Sequence, residues 1–407
     1  MRWSTRLIAF AVGAASLGAA AVGCTLLTDF RECEITADCV ERHGPRATCG
    51  PDFVCSVAST VTTEQCQRTI GEVGSQTFLI GVLLPLTGPE AGFGVPLLRA
   101  IETALSNFSS LEVEGRKVAL LVCDTEGVDE VALEAGRQAI EEARVTAIIG
   151  PDFSSQTLDI ANEYAIPNEV LLVTPSGTST QITTLDDDNL VWRTAPSDVA
   201  QADALGQLVT AYITKTLNKD LSETVVWLLN RSEDSYGVGL QEALVSDLPQ
   251  ELTASANFKP SQYPSDWEDS WFSGTALQLP PPDVVLLMGA AESWAMAEAI
   301  DDAFPENDPV FLFADAARNP DEAAKTAAAL EGRVLGTAPQ SVGDLSYTPY
   351  TNFRIKYQSD HREDPNDLQF VANAYDALHV VVLAAAAGGG ISGPELAVGM
   401  SELSAGE

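Results

Sequence analysis

Basic residues are scarce in this chain. Its 407 residues carry 22 Lys+Arg against 58 Asp+Glu, a formal charge of −36, which excludes recognition of nucleic acid or of anionic lipid headgroups through a charged face. The acidity is spread along the sequence, with Asp186-Asp187-Asp188 as its only short run, so it reads as a solvated surface and not as a metal-binding tract. Histidine is limited to His43, His361 and His379, too little for a His-based general-base triad. A G-x-S-x-G elbow, a Walker A loop and a G-x-G-x-x-G turn after the first strand are all missing. So are the clustered His and carboxylates of a metal hydrolase. The pattern predicts a protein that is not an enzyme and that needs neither cofactor nor metal.

Long apolar runs are lacking too, beyond the beginning of the chain. Arg2 and Arg6 precede an uncharged stretch, Leu7 to Gly23, that reaches Ala21-Val22-Gly23-Cys24, the layout of a secretory signal peptide. Small residues before a cysteine resemble a bacterial lipobox, although Ala21 stands where leucine is more usual. On this reading residues 1–23 are removed and Cys24 is lipidated, so that contact with the membrane is through the anchor only, on the periplasmic or extracellular side. A retained membrane span is the competing reading, since about seventeen mostly apolar residues just cross a bilayer. Val381 to Ile391 is too short to offer a second one.

Cysteine is nearly absent after residue 66. Cys33, Cys39, Cys49, Cys55 and Cys66 crowd a stretch rich in Gly, Pro and charge, and beyond them only Cys123 remains. In an exported segment that density predicts a disulfide module too small to build its own apolar core. Zinc is the rival, but there is no C-x-x-C pair and His43 is the only nearby imidazole. Five cysteines leave one to pair outside the module. The expectation is a Cys66–Cys123 bridge that staples the module to the strand Lys117 to Val122.

From about Thr77 apolar runs alternate with amphipathic helical patterns, the mark of βαβ units around a parallel sheet. Strands are expected at Phe78 to Leu84, Val118 to Val122, Ala147 to Ile149 and Val170 to Val173. After Arg193 to Asp198 the pattern restarts, with strands at Thr224 to Leu229, Asp283 to Met288 and Val310 to Phe313. The fold class is therefore α/β, with two Rossmann-like lobes, a hinge and a central cleft, preceded by the disulfide-rich module. Two loops follow strands of the first lobe: Gly150-Pro151-Asp152-Phe153-Ser154-Ser155-Gln156-Thr157 and Thr174-Pro175-Ser176-Gly177-Thr178. Each is expected to put hydroxyls and backbone N–H groups at the sheet edge where α/β proteins bind ligands. The first also opens a helix, Gln156 to Tyr164, whose N-terminus suits a carboxylate. Ordinary N-caps and turns are the alternative reading of Ser154, Ser155 and Thr178.

These residues, in this order, resemble the type I periplasmic solute-binding proteins of the branched-chain amino acid class, also called receptor ligand-binding domains. The resemblance runs from about Ile80 to Gly389. It rests on Gly81 to Gly88 with Phe93-Gly94, Ile149-Gly150-Pro151 with Ser154 and Thr157, Thr174-Pro175-Ser176 with Thr178, Arg193-Thr194-Ala195-Pro196-Ser197-Asp198, Asp234-Ser235-Tyr236-Gly237, Asp283-Val284-Val285 and Tyr375-Asp376-Ala377.

The resemblance implies an extracytoplasmic lipoprotein that captures a small molecule, an amino acid or a related amide or carboxylate, and delivers it to an ABC-type permease. It implies that Ser154 and Thr178 hold the ligand carboxylate together with nearby backbone N–H groups, that Ser155 and Gly177 also bind the ligand, that Ser176 lies beside the α-carbon substituents, and that Phe93 and Tyr236 are aromatics of the two lobes. Asp315 matches the acidic position that receives an α-ammonium group. The implied domains are 1–23 signal peptide, 24–72 lipid-anchored cysteine-rich module, 76–197 with 337–407 as lobe 1, and 198–336 as lobe 2. A lipid-anchored sensor that uses the same fold to bind a signal or a protein partner is the alternative function.

Two features depart from the family pattern. Ala290 and Ala291 follow the strand at Asp283 to Met288 where an aromatic is common, so the side-chain end of the pocket is expected to be wider or differently shaped. The sequence given ends at Glu407 without the usual closing glycine-rich and Phe-Asp segment, which leaves a third inter-lobe crossing unsecured.

Overall fold

The computed structural model describes residues 31–404 apart from 59–60, 109–110, 233, 319, 326–329 and 340–347. The expected signal peptide and Cys24 lie outside the described residues. The first body is the cysteine module: helix α1 (Thr36–His43) against a hairpin of β1 (Ala47–Cys49) and β2 (Cys55–Val57). Disulfides Cys33–Cys49 and Cys39–Cys55 close it, and its core is little more than Cys33, Cys39 and Ala47. The sulfurs of Cys33, Cys39 and Cys55 lie within 4.8 Å of one another because the two disulfides are neighbours. All three are spent in S–S bonds, so the disulfide reading prevails over zinc. A third bridge, Cys66–Cys123, joins the segment after the module to the next body as the cysteine count had suggested.

Lobe 1 is built on a six-stranded sheet in the order β3-β5-β4-β6-β7-β8. The strands are β3 (Arg68–Ile70), β4 (Phe78–Leu84), β5 (Val118–Asp124), β6 (Ala147–Ile149), β7 (Leu171–Thr174) and β8 (Val191–Arg193). Only β3 runs antiparallel. Helices cover both faces, so central strands are buried on both sides and read as continuous apolar runs; every residue of β4 is buried. The covering helices are α2 (Ala91–Phe108), α3 (Asp129–Arg137), α4 (Ser154–Ile160) and α5 (Thr180–Thr183).

Lobe 2 carries a five-stranded parallel sheet, β10-β9-β11-β12-β13. Its strands are β9 (Val226–Arg231), β10 (Phe258–Tyr263), β11 (Val284–Met288), β12 (Val310–Phe313) and β13 (Val334–Gly336), with helices α6 (Asp198–Ala211), α7 (Ser235–Asp247), α8 (Gln250–Thr253), α9 (Glu292–Ala303) and α10 (Pro320–Lys325). Leu205, Val209, Leu240 and Leu244 pack on one face of the sheet, and Trp227, Tyr263, Trp267 and Trp271 build the other. β10 escapes sequence reading because it is an edge strand with alternating exposure and a proline at position 260, which only an edge tolerates.

Among the described residues the chain passes between the lobes twice, at Thr194 to Ser197 and again between Gly336 and Thr348. The returning helices α11 (Thr348–His361), α12 (Val371–Gly388) and α13 (Gly393–Ser404) complete lobe 1, with Tyr357, Leu378 and Leu396 in the same core as Ile80 and Leu97. The apolar run expected only over Val381 to Ile391 overlaps the second half of α12, which starts ten residues earlier, ends at Gly388 and is long and apolar enough to cross a membrane. It packs between α2 and α13 against β6 and β7, and so serves as the central helix of lobe 1.

The module sits at the N-terminal edge of the lobe 1 sheet. Arg144, just before β6, donates to the carbonyls of Ser56 (2.7 Å) and Arg46 (3.2 Å) and to Ser56 Oγ (3.2 Å). Gly44 lies against Ser75, just before β4. Arg144→Ala is expected to remove about 2 kcal/mol of docking. Limited proteolysis should then cut faster between Val57 and Gln65; an unchanged cleavage rate would mean that the module is held by other contacts.

Candidate functional site

The C-terminal edges of the two parallel sheets face each other. On lobe 1 the loops after β6 and β7 are sewn together. Gly150 has φ 103°, and a Cβ there would lie 2.2 Å from the Leu83 carbonyl, so only glycine lets the chain turn beside β4. Thr174 Oγ1 donates to the Pro151 carbonyl (2.6 Å) and accepts the Gly177 N–H (2.8 Å), and Ser176 Oγ donates to the Asp152 carbonyl (2.9 Å). Ser154 Oγ accepts the Ser179 N–H (3.2 Å). The loops therefore hold fewer free N–H groups than their sequence suggests, since those of Gly177 and Ser179 are already bonded. These bonds leave unspent the hydroxyl hydrogen of Ser154, that of Thr178 apart from its pull on the Asp198 carboxyl, and the first N–H groups of α4, which have no intrahelical partner.

Thr178, buried like Ser154 and Ser176, is braced through its carbonyl. That oxygen accepts from Arg193 Nη1 (3.2 Å) and from the Asp198 N–H (3.0 Å), and Arg193 continues to the Ser179 carbonyl (2.8 Å). Asp198 opens α6 at the first crossing and is fully buried, and neither carboxylate oxygen has a hydrogen bond of good geometry. Burial first, then the nearby Asp315, pushes its carboxyl up to about 8. The Thr178 hydroxyl and Arg193 pull the other way.

Lobe 2 answers with Tyr236 and Asp315. Tyr236 stands in the first turn of α7, whose N-terminus Asp234 caps by accepting the N–H groups of Tyr236 (3.1 Å) and Gly237 (3.4 Å). Its phenol donates to Asp315 Oδ1 at 2.5 Å. Asp315 is buried just past β12, and burial holds its carboxyl above the usual range against the Tyr236 hydrogen bond. Burial and the neighbouring Asp315 raise the Tyr236 phenol well above its ordinary value, so it stays protonated as a donor. Hydrogen bonds close the lobes on each other: Ser179 Oγ donates to the Ser235 carbonyl (3.1 Å), the Gln369 amide of lobe 1 donates to the Asp315 carbonyl, and Arg318 Nη2 of lobe 2 donates to the Asn366 carbonyl (3.0 Å).

The other end of the cleft is aromatic and then charged. Phe93 is half-buried, stacked on Phe153 (6.3 Å between centroids) and edge-on to Phe370 (6.2 Å). Beyond it Arg231 pairs with Glu292 (2.6 Å), which also accepts from the Tyr263 hydroxyl (3.1 Å). Glu90 of lobe 1 faces this group, and burial followed by Glu292 raises its carboxyl. The alanines at 290 and 291 are thus flanked by polar chemistry and not by an enlarged apolar pocket.

The structure brings Ser154, Ser176, Thr178, Tyr236 and Asp315 together around one cleft with Phe93 at its rim. It does not bring Ser155, which turns to an outer groove with Asp129, Asp159, Gln181 and Ser235. Sequence reasoning quoted Arg193 and Asp198 only as part of a pattern and passed over Glu90, Arg231 and Glu292. An isolated acid after a strand carries no mark of burial until both lobes are in place.

A sequence model of the family described as "Periplasmic binding protein" matches residues 77–405. Among curated proteins, "Leu/Ile/Val-binding protein homolog 3" of Brucella melitensis is 30% identical over 167 residues, 40% of this chain and 42% of the relative. The "Chemotactic signal transduction system substrate-binding protein BasB" of Halobacterium salinarum is 28% identical over 225 residues, 54% of this chain and 51% of the relative. The chain thus spans about half the length of the curated relatives it matches. Among solved structures, the leucine binding protein LivK of Thermotoga maritima superposes with a TM-score of 0.66 at 25% identity, over 80% of this chain and 87% of that one. A solute binding protein of R. palustris in complex with benzoate gives 0.63 at 18%, over 80% and 85%.

Proposed function

Because the chain belongs to the periplasmic binding protein family, with the type I fold of two α/β lobes, we propose that it captures a small amino-acid-like solute between its lobes outside the cytoplasm and hands it to an ABC-type permease. The observation that carries this is the pairing of chemistries across the cleft: hydroxyl and N–H donors at Ser154 and Thr178, and buried acids at Asp198 and Asp315. A zwitterion supplies an anion for the first and a cation for the second, and buried charges are tolerated only when paired. Closure is driven by contacts better made in the closed form, with Tyr236 and Asp315 arriving on lobe 2. Residues 24–72 would carry the anchor through Cys24 and hold the lobes near the membrane.

A thermal-shift screen of the soluble protein from about Thr25 onward against amino acids, amides and small carboxylates tests this, since a ligand of the folded state raises apparent stability by mass action. One α-amino acid should give a clear shift. Ser154→Ala and Thr178→Ala should each weaken it by about tenfold or more, the value of a hydrogen bond to a charged group, with folding retained. A folded protein that answers to no solute would remove the reading.

A second reading has its own support. The BasB relative bears a chemotactic name, and a disulfide module docked on lobe 1 is not needed for capture alone. In that case the closed form would be read by a signalling partner in place of a permease. Cross-linking of the loaded protein in its native membrane, with a permease or a receptor as the captured chain, separates the two.

A further inference from the structure

The charged end of the cleft is unsuited to the aliphatic side chains named for several of the relatives. Four carboxyls meet there, Glu90 and Asp152 from lobe 1 and Asp234 and Glu292 from lobe 2, against one guanidinium, Arg231. Asp234 is used in capping α7, and Glu292 holds Arg231 and Tyr263. Glu90 and Asp152 are not used. Asp152 is 2% exposed, its carboxylate oxygens have no hydrogen bond of good geometry and only the N–H groups of Asp152 and Phe153 approach them, and the charges that act on it, Glu90 and Asp129, are both acidic. Ser293 Oγ, fully buried beside Gly289, is likewise without a partner among the described residues. Arg231 Nε and the Ser293 hydroxyl are donors here without a partner among the described residues, and the carboxylate oxygens of Glu90, Asp152 and Glu292 that converge from both lobes outnumber them.

We propose that the solute carries a second cationic group at its distal end, an amine or guanidinium, received by Glu90 with Asp152 behind it and by Glu292 across the cleft. This rests on the solute-binding reading above and names its substrate class: a dibasic amino acid in place of an aliphatic one. An aliphatic end would cover Glu90 and leave its carboxylate unpaired, which is costly. A distal carboxylate would have to displace Glu292 from Arg231 while lying beside Glu90 and Asp234. A cation meets the excess negative charge directly and supplies the missing donors. Burial holds the Asp152 and Glu90 carboxyls in their protonated direction, and an arriving cation would reverse that.

The test is calorimetric titration of the soluble chain with lysine, arginine, leucine and glutamate. Lysine or arginine should bind at least a hundredfold more tightly than leucine or glutamate. Glu90→Gln, nearly isosteric at a partly buried position, should weaken the dibasic ligand about tenfold or more. Leucine binding as tightly as lysine overturns the inference and leaves solute capture standing. Failure of all four, with no other solute active in the thermal screen, overturns both. Unchanged lysine affinity in a folded Glu90→Gln variant overturns the placement. Should that variant not fold, the four-ligand ranking on the unaltered chain still decides.

Discussion

Replacing Asp198 by Asn is expected to stabilise the ligand-free protein at alkaline pH while weakening solute binding by about a hundredfold or more, the scale of removing one partner from a buried charge pair. The two effects share a cause. Asp198 is fully buried beside Asp315, and its carboxyl is pushed up to about 8 from the ordinary value near 4. A carboxyl raised in the folded state binds its proton more tightly there than in the unfolded chain. Its contribution to stability is therefore complete below about pH 4 and is lost as pH climbs through about 8. Asn cannot ionise, so the variant's thermal midpoint should approach and then exceed that of the unaltered chain between pH 5 and pH 8.5. Midpoints that fell in parallel would show that Asp198 does not titrate in this range.

Solute binding should have the opposite pH dependence. A cationic group near Asp198 favours the ionised carboxylate, so Kd should fall as pH rises from 6 to 8, by about tenfold per unit for one linked proton. Calorimetry in two buffers of different ionisation heat would register the released proton. Because Asp198 and Asp315 interact, the steps belong to the pair. The Asn variant should flatten the profile; a flat profile in the unaltered chain would refute the linkage.

The second large effect is expected at Cys66 and Cys123. Their bridge spans 57 positions, and closing a loop of that length removes about 4 kcal/mol of unfolded-state entropy. The double Ser variant should unfold on the order of 10 °C lower, with the module's own bridges, Cys33–Cys49 and Cys39–Cys55, intact. Both cysteines are fully buried in the core of lobe 1, so strain relief cannot offset the loss cheaply. A midpoint within about 2 °C of the original would place the stapling energy elsewhere, in contacts such as Asp124 N–H to the Gln65 carbonyl.

The parallel sheets were legible because buried central strands write themselves as apolar runs: β4, β9, β11 and β12 each lie within or beside the segment expected from sequence. The strand at Phe258–Tyr263 was not, since an edge position lets Lys259, Pro260 and Gln262 stand in it. The loops bearing Ser154 and Thr178 were visible because they follow strands directly. Their hydrogen-bond economy was not, because Thr174 reaches a residue 23 positions away and Ser154 one 25 away. Glu90, Asp198 and Glu292 look like surface acids in a chain with 58 of them. Their burial is set by the meeting of two lobes that are distant in sequence, and no local pattern encodes it.

The docking of the cysteine module has a mechanical consequence. Arg144 and Gly44 grip lobe 1 at the sheet end remote from the cleft, the Cys66–Cys123 bridge ties the segment after the module to the C-terminal end of β5, and none of the three joins a residue of lobe 2. Whatever holds the module thus holds lobe 1, and in the proposed opening of the cleft lobe 2 would be the jaw free to swing. If the module carries the proposed anchor, a pull on it would do no work on the hinge, and the grip on a solute would be insulated from the tension of the tether.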